Sequence, residues 1–395
     1  MTSPRVRPAT PGDLDNLLAI HVAAFPDARS MAARQRNFEQ NPLGPLASLR
    51  VLDVGGEALA HAFLFSLVTF FRGRAVATAG IASLGVAPHA RGRGLAAYLM
   101  SALEDEARQR GDVLALLHPF RQGFYRRLGY APVAPTVRLE ASPAAIPEDW
   151  VSAARSASLR AATGQDRASV EACYVQYAHQ GSGLFERPER LWEQKHLCER
   201  RHVVVLPGGE GVRGYAAFTH EQREPHAAVR LDVEEIVAID DECKRLLLGA
   251  LGSQRDQVRL MTLPVAADDP TAWALVDADQ GAEGTALVEH PIGTLAAGPM
   301  IKILDLPRAL DAAGAPTAGI LELDVGVGAP HRWGADGVEK PTRLTTTLPR
   351  LASLLFGGLD ASAATRLGWL EGSHGASELL EEVTLKRSFE VLDPF

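Results

Sequence analysis

VAPHARGRGLAA (residues 86–97) joins a predicted strand to a predicted helix, and this junction decides how the whole chain is interpreted. The strand covers residues 77–86, and the helix covers Leu95–Arg110, where leucine recurs at helical spacing. Gly92 and Gly94 lack side chains, so consecutive backbone N–H groups can face one anion at the positive end of the helix dipole. The junction therefore predicts a phosphate-binding turn. A glycine turn flanked by solvated arginines is the alternative interpretation.

The sequence on both sides of this turn alternates between strand-like and helical patterns. These patterns predict a helix over residues 11–25, a hairpin over residues 49–54 and 58–68, a buried strand over residues 113–117, a helical turn over residues 123–128 and a last strand over residues 130–139. Alternation of this kind is typical of an α/β domain, which we expect to cover residues 1–140.

Two matches in the same order along the chain indicate a second copy of this unit. Residues 7–13 (RPATPGD) recur as residues 160–166 (RAATGQD), and residues 86–95 align with residues 237–246. Chance similarity between helix-capping sequences could explain the first match. The shared order of both matches favours duplication of one unit.

The second copy lacks the residues that would bind a phosphate in the first. It carries Glu242 and Arg245 where the first copy has Arg91 and Gly94. An acidic side chain would repel a phosphate, and a bulky one would block its approach to the backbone. We therefore expect a degenerate, structural unit over residues 141–292.

The pattern changes again near residue 293. Residues 293–298 are rich in alanine and glycine and are predicted to be a linker. The rest favours strands over residues 301–306 and 318–325, and helices over residues 348–357 and 361–370. A third unit is therefore expected over residues 293–395.

Composition limits the class of protein and of partner. The 395 residues are 46% hydrophobic, enough for two or three globular domains, and the formal net charge of -8 disfavours nucleic acid and suits a cationic substrate. Cys173, Cys198 and Cys243 are too far apart in sequence to indicate a zinc site or a disulfide framework, and we expect no metal. The chain shows neither a signal peptide nor a membrane-spanning run, so we expect a cytoplasmic protein without a membrane partner.

Two motifs and the overall organisation resemble a known family. RGRGLA (residues 91–96) resembles the Q/R-x-x-G-x-G/A signature of the GNAT acetyltransferases, and FYRRLGY (residues 124–130) resembles their F-Y-x-x-x-G-F/Y motif. With RPERLW (residues 187–192) and ILDLPRAL (residues 303–310), the whole chain is similar to the Eis (enhanced intracellular survival) family. The resemblance implies an α/β (α+β) fold, in which tandem GNAT domains, the second degenerate, precede a domain similar to sterol-carrier proteins.

The resemblance also implies an N-acetyltransferase that uses acetyl-CoA and modifies a primary amine of an aminoglycoside-like molecule or a lysine. Many GNAT enzymes carry a glutamate as base before the phosphate turn, but residues 79–85 contain no carboxylate. In the Eis family the base is the C-terminal carboxylate, which maps onto Phe395, and the general acid is a tyrosine, which maps onto Tyr125. The alternatives are a frayed C-terminus and a tyrosine that only packs beneath the last strand.

Binding residues carry over position by position from the same resemblance. The cofactor contacts implied are Leu84, Gly85, Val86, Arg91, Gly92, Arg93, Gly94, Leu95, Ala96, Ala97, Phe120 and Arg121. The last two stand where the family has a Ser-Glu pair, which weakens those two assignments. Asp27 matches an acidic position of the amine pocket, with a helix-end cap as the alternative role.

The remaining expectations concern assembly and competing functions. The family resemblance implies a homo-oligomer, a hexamer. A non-catalytic protein that binds an apolar ligand in the sterol-carrier-like domain is the alternative function, and an enzyme that uses a longer acyl-CoA is a third possibility. The intact phosphate turn favours the acetyltransferase.

Overall fold

The computed structural model describes residues 3–196, 201–209, 211–222, 228–276, 291–334, 340–372, 375–384, 389–393 and 395. Three sheets, of eight, seven and four strands, organise this part of the chain. Within it no helix is long and apolar enough to cross a membrane.

The elements follow one another in three groups along the chain. The first group contains β1 (Arg5–Pro8), α1 (Leu14–Ala24), α2 (Met31–Glu39), β2 (Leu49–Val54), β3 (Glu57–Phe71), β4 (Arg74–Val86), α3 (Leu95–Arg110), β5 (Leu114–Leu117), α4 (Gln122–Arg127) and β6 (Ala131–Pro132). The second contains β7 (Thr136–Ala141), α5 (Glu148–Ser156), β8 (Arg160–Ala161), α6 (Arg167–Gln180), β9 (Ser182–Phe185), α7 (Glu189–Leu191), β10 (His202–Gly208), β11 (Gly211–Glu221), β12 (Val229–Ala238), α8 (Asp241–Gly252), β13 (Val258–Val265) and α9 (Thr271–Ala274). The third contains β14 (Gly293–Ala296), β15 (Met300–Ile303), α10 (Leu306–Ala313), β16 (Ile320–Asp324), β17 (His331–Gly334), β18 (Thr342–Thr345), α11 (Leu348–Leu355), α12 (Ala361–Arg366), β19 (Glu371–Gly372) and α13 (Ala376–Glu381).

The first sheet has the order β1-β2-β3-β4-β5-β15-β6, and β9 pairs with β3. Strands β1 to β4 are antiparallel neighbours, whereas β4 and β5 are parallel and are connected through α3. The predicted helix at Leu95–Arg110 is confirmed, and its stripe of Leu95, Leu99 and Leu103 is buried against the sheet. A connection between parallel strands must cross over the sheet, and here α3 forms that crossover and covers this face.

A strand from the last third of the chain completes the first sheet. β15 lies antiparallel between β5 and β6, and Ile301 pairs with both Leu116 and Ala131. Beside it, the ammonium group of Lys302 donates to Oε2 of Glu104 at 2.6 Å. The predicted first unit therefore shares its sheet with residues beyond 293.

The second sheet has the order β14-β7-β13-β12-β11-β10-β8. The prediction of one strand over residues 130–139 is wrong: β6 pairs in the first sheet, while β7 pairs with β13 in the second. Pro132 and Pro135 explain the interruption, because neither can donate a ladder hydrogen bond. The predicted linker over residues 293–298 is also corrected, since its first four residues form β14 along β7.

The third group packs on the first sheet through one shared core. Its four-stranded sheet, β17-β16-β18-β19, is covered by helices whose apolar residues meet those of β5 and β15. In this core Phe356, at the end of α11, packs edge-on against Phe71 of β3, with ring centroids 5.0 Å apart. This packing brings the end of the chain to the first sheet.

The two matched stretches, residues 7–13 and 160–166, adopt the same local structure. The guanidinium of Arg7 donates to both carboxylate oxygens of Asp13, at 2.8 and 2.7 Å, and the backbone and side chain of Thr10 donate to the same carboxylate. The equivalent contacts at residues 160–166 measure 2.7–2.8 Å. The repeat is thus a repeat of structure as well as of sequence.

Candidate active site

The turn between β4 and α3 is open at the start of the helix. Gly92 and Gly94 adopt φ angles of 76° and 77°, which glycine accepts without strain, and a Cβ at either position would meet no atom within 4 Å. Among the described residues no side chain caps the helix, and the N–H of Tyr98 donates to the carbonyl of Gly94. The N–H groups in the first turn of a helix have no acceptor within the helix itself. Here they therefore remain available to an anion.

The two arginines of the turn have different positions. Arg91 holds the turn against α1: its guanidinium donates to the carbonyl of Ala23 at 2.8 Å and to that of Val86 at 3.3 Å. Arg93 is exposed. Arg91 thus shapes the turn, while Arg93 supplies positive charge toward solvent beside it.

β4 contains a bulge just before the turn. His61 of β3 pairs with Gly85 and Phe63 pairs with Ala82, so two residues of β4 lie opposite one residue of β3. Within the bulge Ser83 adopts a φ of 53°, in the left-handed region that non-glycine residues rarely occupy. Strain of this kind is concentrated at functional sites.

Beyond the bulge, β4 has an open edge. Its parallel pairing with β5 ends at Ile81 and Leu117, so within the described chain residues 82–86 pair with β3 alone. The unpaired N–H and C=O groups on the other side can bind an extended chain that carries amides. Leu84, Gly85 and Val86, the predicted contacts for the cofactor arm, all lie on this stretch.

A cleft of about 460 Å³ adjoins the bulge. It lies between α1, α2, β3 and β4, and the end of the chain forms part of its wall. Its lining consists of His21, Phe25, Arg29, Asn37, Asn41, Pro42, Leu43, Phe63, Phe65, Ala82, Ser83, His118, Leu191, Asp393 and Phe395. Phe395, the predicted base, therefore forms part of the wall of the cleft.

Tyr125 lies in α4, which follows β5. It is 3% exposed and packs with ring centroids 5.6 Å from Phe120 and 4.9 Å from Phe124. Burial raises the pKa of its hydroxyl above the usual value, so the hydroxyl keeps its proton at neutral pH. Phe120 itself is 66% exposed, and Arg121 caps the start of α4 in an extended conformation.

The ring of Phe395 reaches the same end of the sheet from the other side. It lies edge-on to His118, which follows β5, at a centroid distance of 5.5 Å, and a Cβ on Gly80 would come within 3.3 Å of it. His118 contacts the ring of Phe395, and Phe120 contacts the ring of Tyr125. The short segment of residues 118–120 therefore lies between the two predicted catalytic positions. The structure places both beside the chain that leaves β5, although Tyr125 does not line the cleft.

A buried ion-pair network holds the final segment in place. Arg187 donates from Nε to Asp393 at 2.7 Å and forms a second ion pair with Glu235 of β12. The guanidinium stacks 3.7 Å above the ring centroid of Tyr174. Burial alone would lower the pKa of Arg187, but the carboxylates raise it well above its usual value. A permanent charge thus fixes the segment that ends at Phe395.

Three histidines near the bulge were not identified from the sequence as candidate site residues. His21 and His61 are 2% and 0% exposed, with ring centroids 5.7 Å apart, and neither ring forms a well-directed hydrogen bond to the described residues. Burial lowers the pKa of His21 to about 4 and that of His61 to about 3, so both are neutral at pH 7. His118 follows a buried strand, a position that could have pointed to the site. No signal distinguished His61 from a core residue.

Asp27, predicted to bind the amine, lies outside the cleft lining. Its carboxylate pairs with Arg29 at 2.5 Å and with buried Arg34 at 2.6 Å. The hydrogen bond from Arg29 is the largest of the effects that lower the pKa of Asp27 to about 2. Its negative charge is thus already balanced by two guanidinium groups.

The described residues contain no cluster of three or more His, Cys, Asp or Glu side chains arranged to hold a metal ion. Within the same ranges, Cys173 and Cys243 are buried free thiols. Cys198 lies outside the described residues.

Comparison with known proteins finds the same kind of domain at two places in the chain. Residues 5–133 match the family model of an acetyltransferase (GNAT) domain, and residues 183–292 match a second model of that description. N-acetyltransferase Eis of Mycobacterium bovis and that of Mycobacterium tuberculosis are each 26% identical over 276 residues, which cover 66% of this chain and 63% of the relative. The match therefore spans less than two thirds of the length of these curated relatives.

Solved structures share the fold over the whole chain. A GCN5-related N-acetyltransferase from Anabaena variabilis has a TM-score of 0.77 at 18% identity, with both chains fully covered. One from Kribbella flavida has a TM-score of 0.76 at 22% identity, covering all of this chain and 98% of its own. Eis1 from Mycobacterium abscessus has a TM-score of 0.76 at 19% identity, again with both chains fully covered.

Proposed function

We propose that the chain is an acetyl-CoA-dependent N-acetyltransferase of the GNAT family that is similar to Eis and acts on a primary amine. The open turn at Gly92 and Gly94 is the observation that carries this proposal. The turn and the unpaired edge of β4 lie next to each other, as a ligand with a pyrophosphate and an amide-bearing arm requires.

The turn and the edge of β4 offer groups of the kind that coenzyme A requires: N–H donors, positive charge and backbone amides. The N–H groups from Gly92 to Ala97 face the pyrophosphate, and Arg93 adds positive charge beside them. Leu84, Gly85 and Val86 offer backbone groups to the pantetheine arm. Arg91 contributes by holding the turn in shape, whereas Phe120 and Arg121 flank the far side of the cofactor.

Tyr125 and Phe395 are the proposed acid and base. Amide formation needs a deprotonated amine, and the departing thiolate needs a proton. The raised pKa of Tyr125 keeps its hydroxyl protonated and ready to donate. We assign the base to the carboxylate of Phe395, whose ring packs in the cleft wall while Arg187 secures the preceding residues.

The finer features of the family are proposed in the same way. A lysine or an aminoglycoside-like amine is the acceptor by analogy, with Asp27 as a contact only if it releases one arginine partner. The third group of elements is proposed to be similar to sterol-carrier proteins, and the assembly to be a homo-oligomer, a hexamer. Cytoplasmic location stays a prediction.

The proposed activity is tested with acetyl-CoA and an amine panel, following free thiol release, together with calorimetry of CoA binding. We expect micromolar CoA binding and amine-dependent thiol release. Co-purified lipid with neither CoA binding nor thiol release would instead support a binding protein.

The catalytic assignments are tested separately. Tyr125→Phe, and a glycine added after Phe395, should each lower kcat at least tenfold and leave CoA affinity unchanged. Tyr98→Phe, which removes an exposed hydroxyl from α3, is the matched control. Unchanged kcat in both test variants would remove the assigned acid and base.

A further inference from the structure

The cleft beside Phe395 is lined by aromatic rings and neutral polar groups, with few charges. The rings of Phe63 and Phe65 stack with centroids 4.9 Å apart, and Phe395 stands edge-on to Phe65 at 6.5 Å. On the opposite wall the ring of Phe25 lies 4.7 Å from that of His21. Aromatic walls of this kind bind the apolar body of a ligand.

Charged groups around the cleft are already paired. Among the described lining residues Asp393 is the only acidic side chain, and Arg187 holds it at 2.7 Å. Arg29 is the only Lys or Arg side chain in the same lining, and it pairs with Asp27. One negative charge, the proposed base at Phe395, is then left to attract an ammonium group.

The polar groups that remain are neutral. Asn41 donates to the amide oxygen of Asn37 at 3.2 Å, and both line the cleft. His21 is 2% exposed, and neither of its ring nitrogens has a hydrogen-bond partner in the described residues. A buried imidazole without a partner is costly, so His21 suits a ligand that brings a hydroxyl or similar group to it.

From these observations we infer that the acceptor is an arylalkyl monoamine, with its ring between the phenylalanines and its single amine at Phe395. The inference rests on the proposed acetyltransferase function, and it replaces the acceptor proposed there by analogy with one argued from the cleft lining. A polyamine would bring its additional ammonium groups close to the guanidinium of Arg29, where the described lining offers no unpaired carboxylate. Polyamines and aminoglycosides should therefore be poor acceptors.

The test compares kcat/KM for phenethylamine and tyramine with kcat/KM for spermidine and kanamycin, using the full-length protein and acetyl-CoA. We expect at least a tenfold preference for the arylalkyl amines. A preference for spermidine or kanamycin would overturn the inference, as would CoA binding without acetylation of either arylalkyl amine. Faster turnover with octanoyl-CoA than with acetyl-CoA would also overturn it, because the cleft would then hold the acyl chain. Absence of CoA binding would instead contradict the proposed function.

Two substitutions probe the cleft itself. Phe25→Ala should raise KM for phenethylamine about tenfold without changing CoA affinity, whereas Val22→Ala, on the same helix outside the lining, should not. Asn37→Asp keeps the side-chain shape and adds one negative charge, so it should raise kcat/KM for spermidine severalfold. Gln35→Glu adds the same charge outside the lining and should leave the preference unchanged. Equal effects of each test variant and its control would overturn the inference.

Discussion

The two units that match acetyltransferase (GNAT) domain models contain the same junction of strand and helix, but the helix begins differently in each. In the first, Gly94 occupies the start of α3, and no side chain satisfies the first N–H groups. In the second, α8 begins after Asp240, so the alignment that set Arg245 opposite Gly94 is wrong: Arg245 lies inside α8. The carboxylate of Asp240 accepts the N–H of Cys243 at 2.8 Å and pairs with Arg213 at 2.7 Å. This cap occupies the N–H of Cys243 and places a carboxylate at the helix start, which disfavours a phosphate there. The helix start of the second unit is therefore less suited to an anion than that of the first.

The central hairpins of the two units differ in a related way. Both have a bulge, in β4 at Ser83 and in β12 next to Glu235. The first bulge borders an open cleft, whereas Glu235 lies in the buried network with Arg187 and Asp393. The second unit thus serves the first by fixing the segment that reaches its cleft.

The largest expected effect comes from breaking that network. Arg187→Met removes the buried guanidinium that balances the charges of Glu235 and Asp393, which should lower the free energy of unfolding by about 3–5 kcal/mol. Arg160→Met removes a partly exposed ion pair of the repeat and should cost less than about 1 kcal/mol. Urea denaturation measures both. Equal losses would show that the buried network has no special structural role.

Giving the first turn an acid, as in the second unit, should have the next largest effect. Gly94→Asp places a carboxylate at the helix start and should weaken CoA binding about 100-fold, equivalent to about 2.7 kcal/mol. Gly368→Asp is the control, because Gly368 also has a positive φ, of 65°, and open space around it. Calorimetry that finds unchanged CoA affinity in Gly94→Asp would exclude this turn as the pyrophosphate site.

Lowering the pH should destabilise the protein through the buried histidines of the first unit, whereas the buried arginine of the second unit stays charged. The pKa of His61 falls from 6.5 to about 3, because of burial first and His21 second. Below pH 6.5 the unfolded chain takes up a proton that the folded chain does not, so stability decreases by about 1.4 kcal/mol per pH unit until about pH 3. His61→Leu should flatten this slope between pH 6 and 4 in urea titrations. Parallel curves for both proteins would contradict the assignment.

The smallest effect is expected from removing the cap in the second unit. Asp240→Ala should destabilise the protein by about 1 kcal/mol through loss of the cap at α8, and CoA binding should not change. Thermal denaturation and calorimetry measure the two properties. A new, weaker CoA site in this variant would show that the cap alone suppresses anion binding.

Local sequence signals predicted the elements that depend on local interactions. The helix at Leu95–Arg110 matched because its stripe and its terminal Gly111 lie within one segment. The repeat was visible because Thr, Asp and Arg form their contacts within seven residues. The turn at Gly92 and Gly94 was visible for the same reason.

Features that depend on distant partners could not be predicted. Arg187 meets Asp393 across 206 residues, and no periodicity reports such a pair. The strand predicted over residues 130–139 is divided between two sheets because β13 and β15, far along the chain, pair with its two halves.

Because β15 lies between β5 and β6, the first sheet can be completed only late in synthesis. During synthesis β5 has no neighbour on its outer side until the ribosome has added residues as far as Ile303. A nascent chain that ends near residue 140 exposes this edge, which is a template for unwanted pairing. Residues 1–140 are therefore not a portable module: a gene fragment for them would encode an incomplete sheet, and grafting it onto another protein would require β15 to be supplied as well.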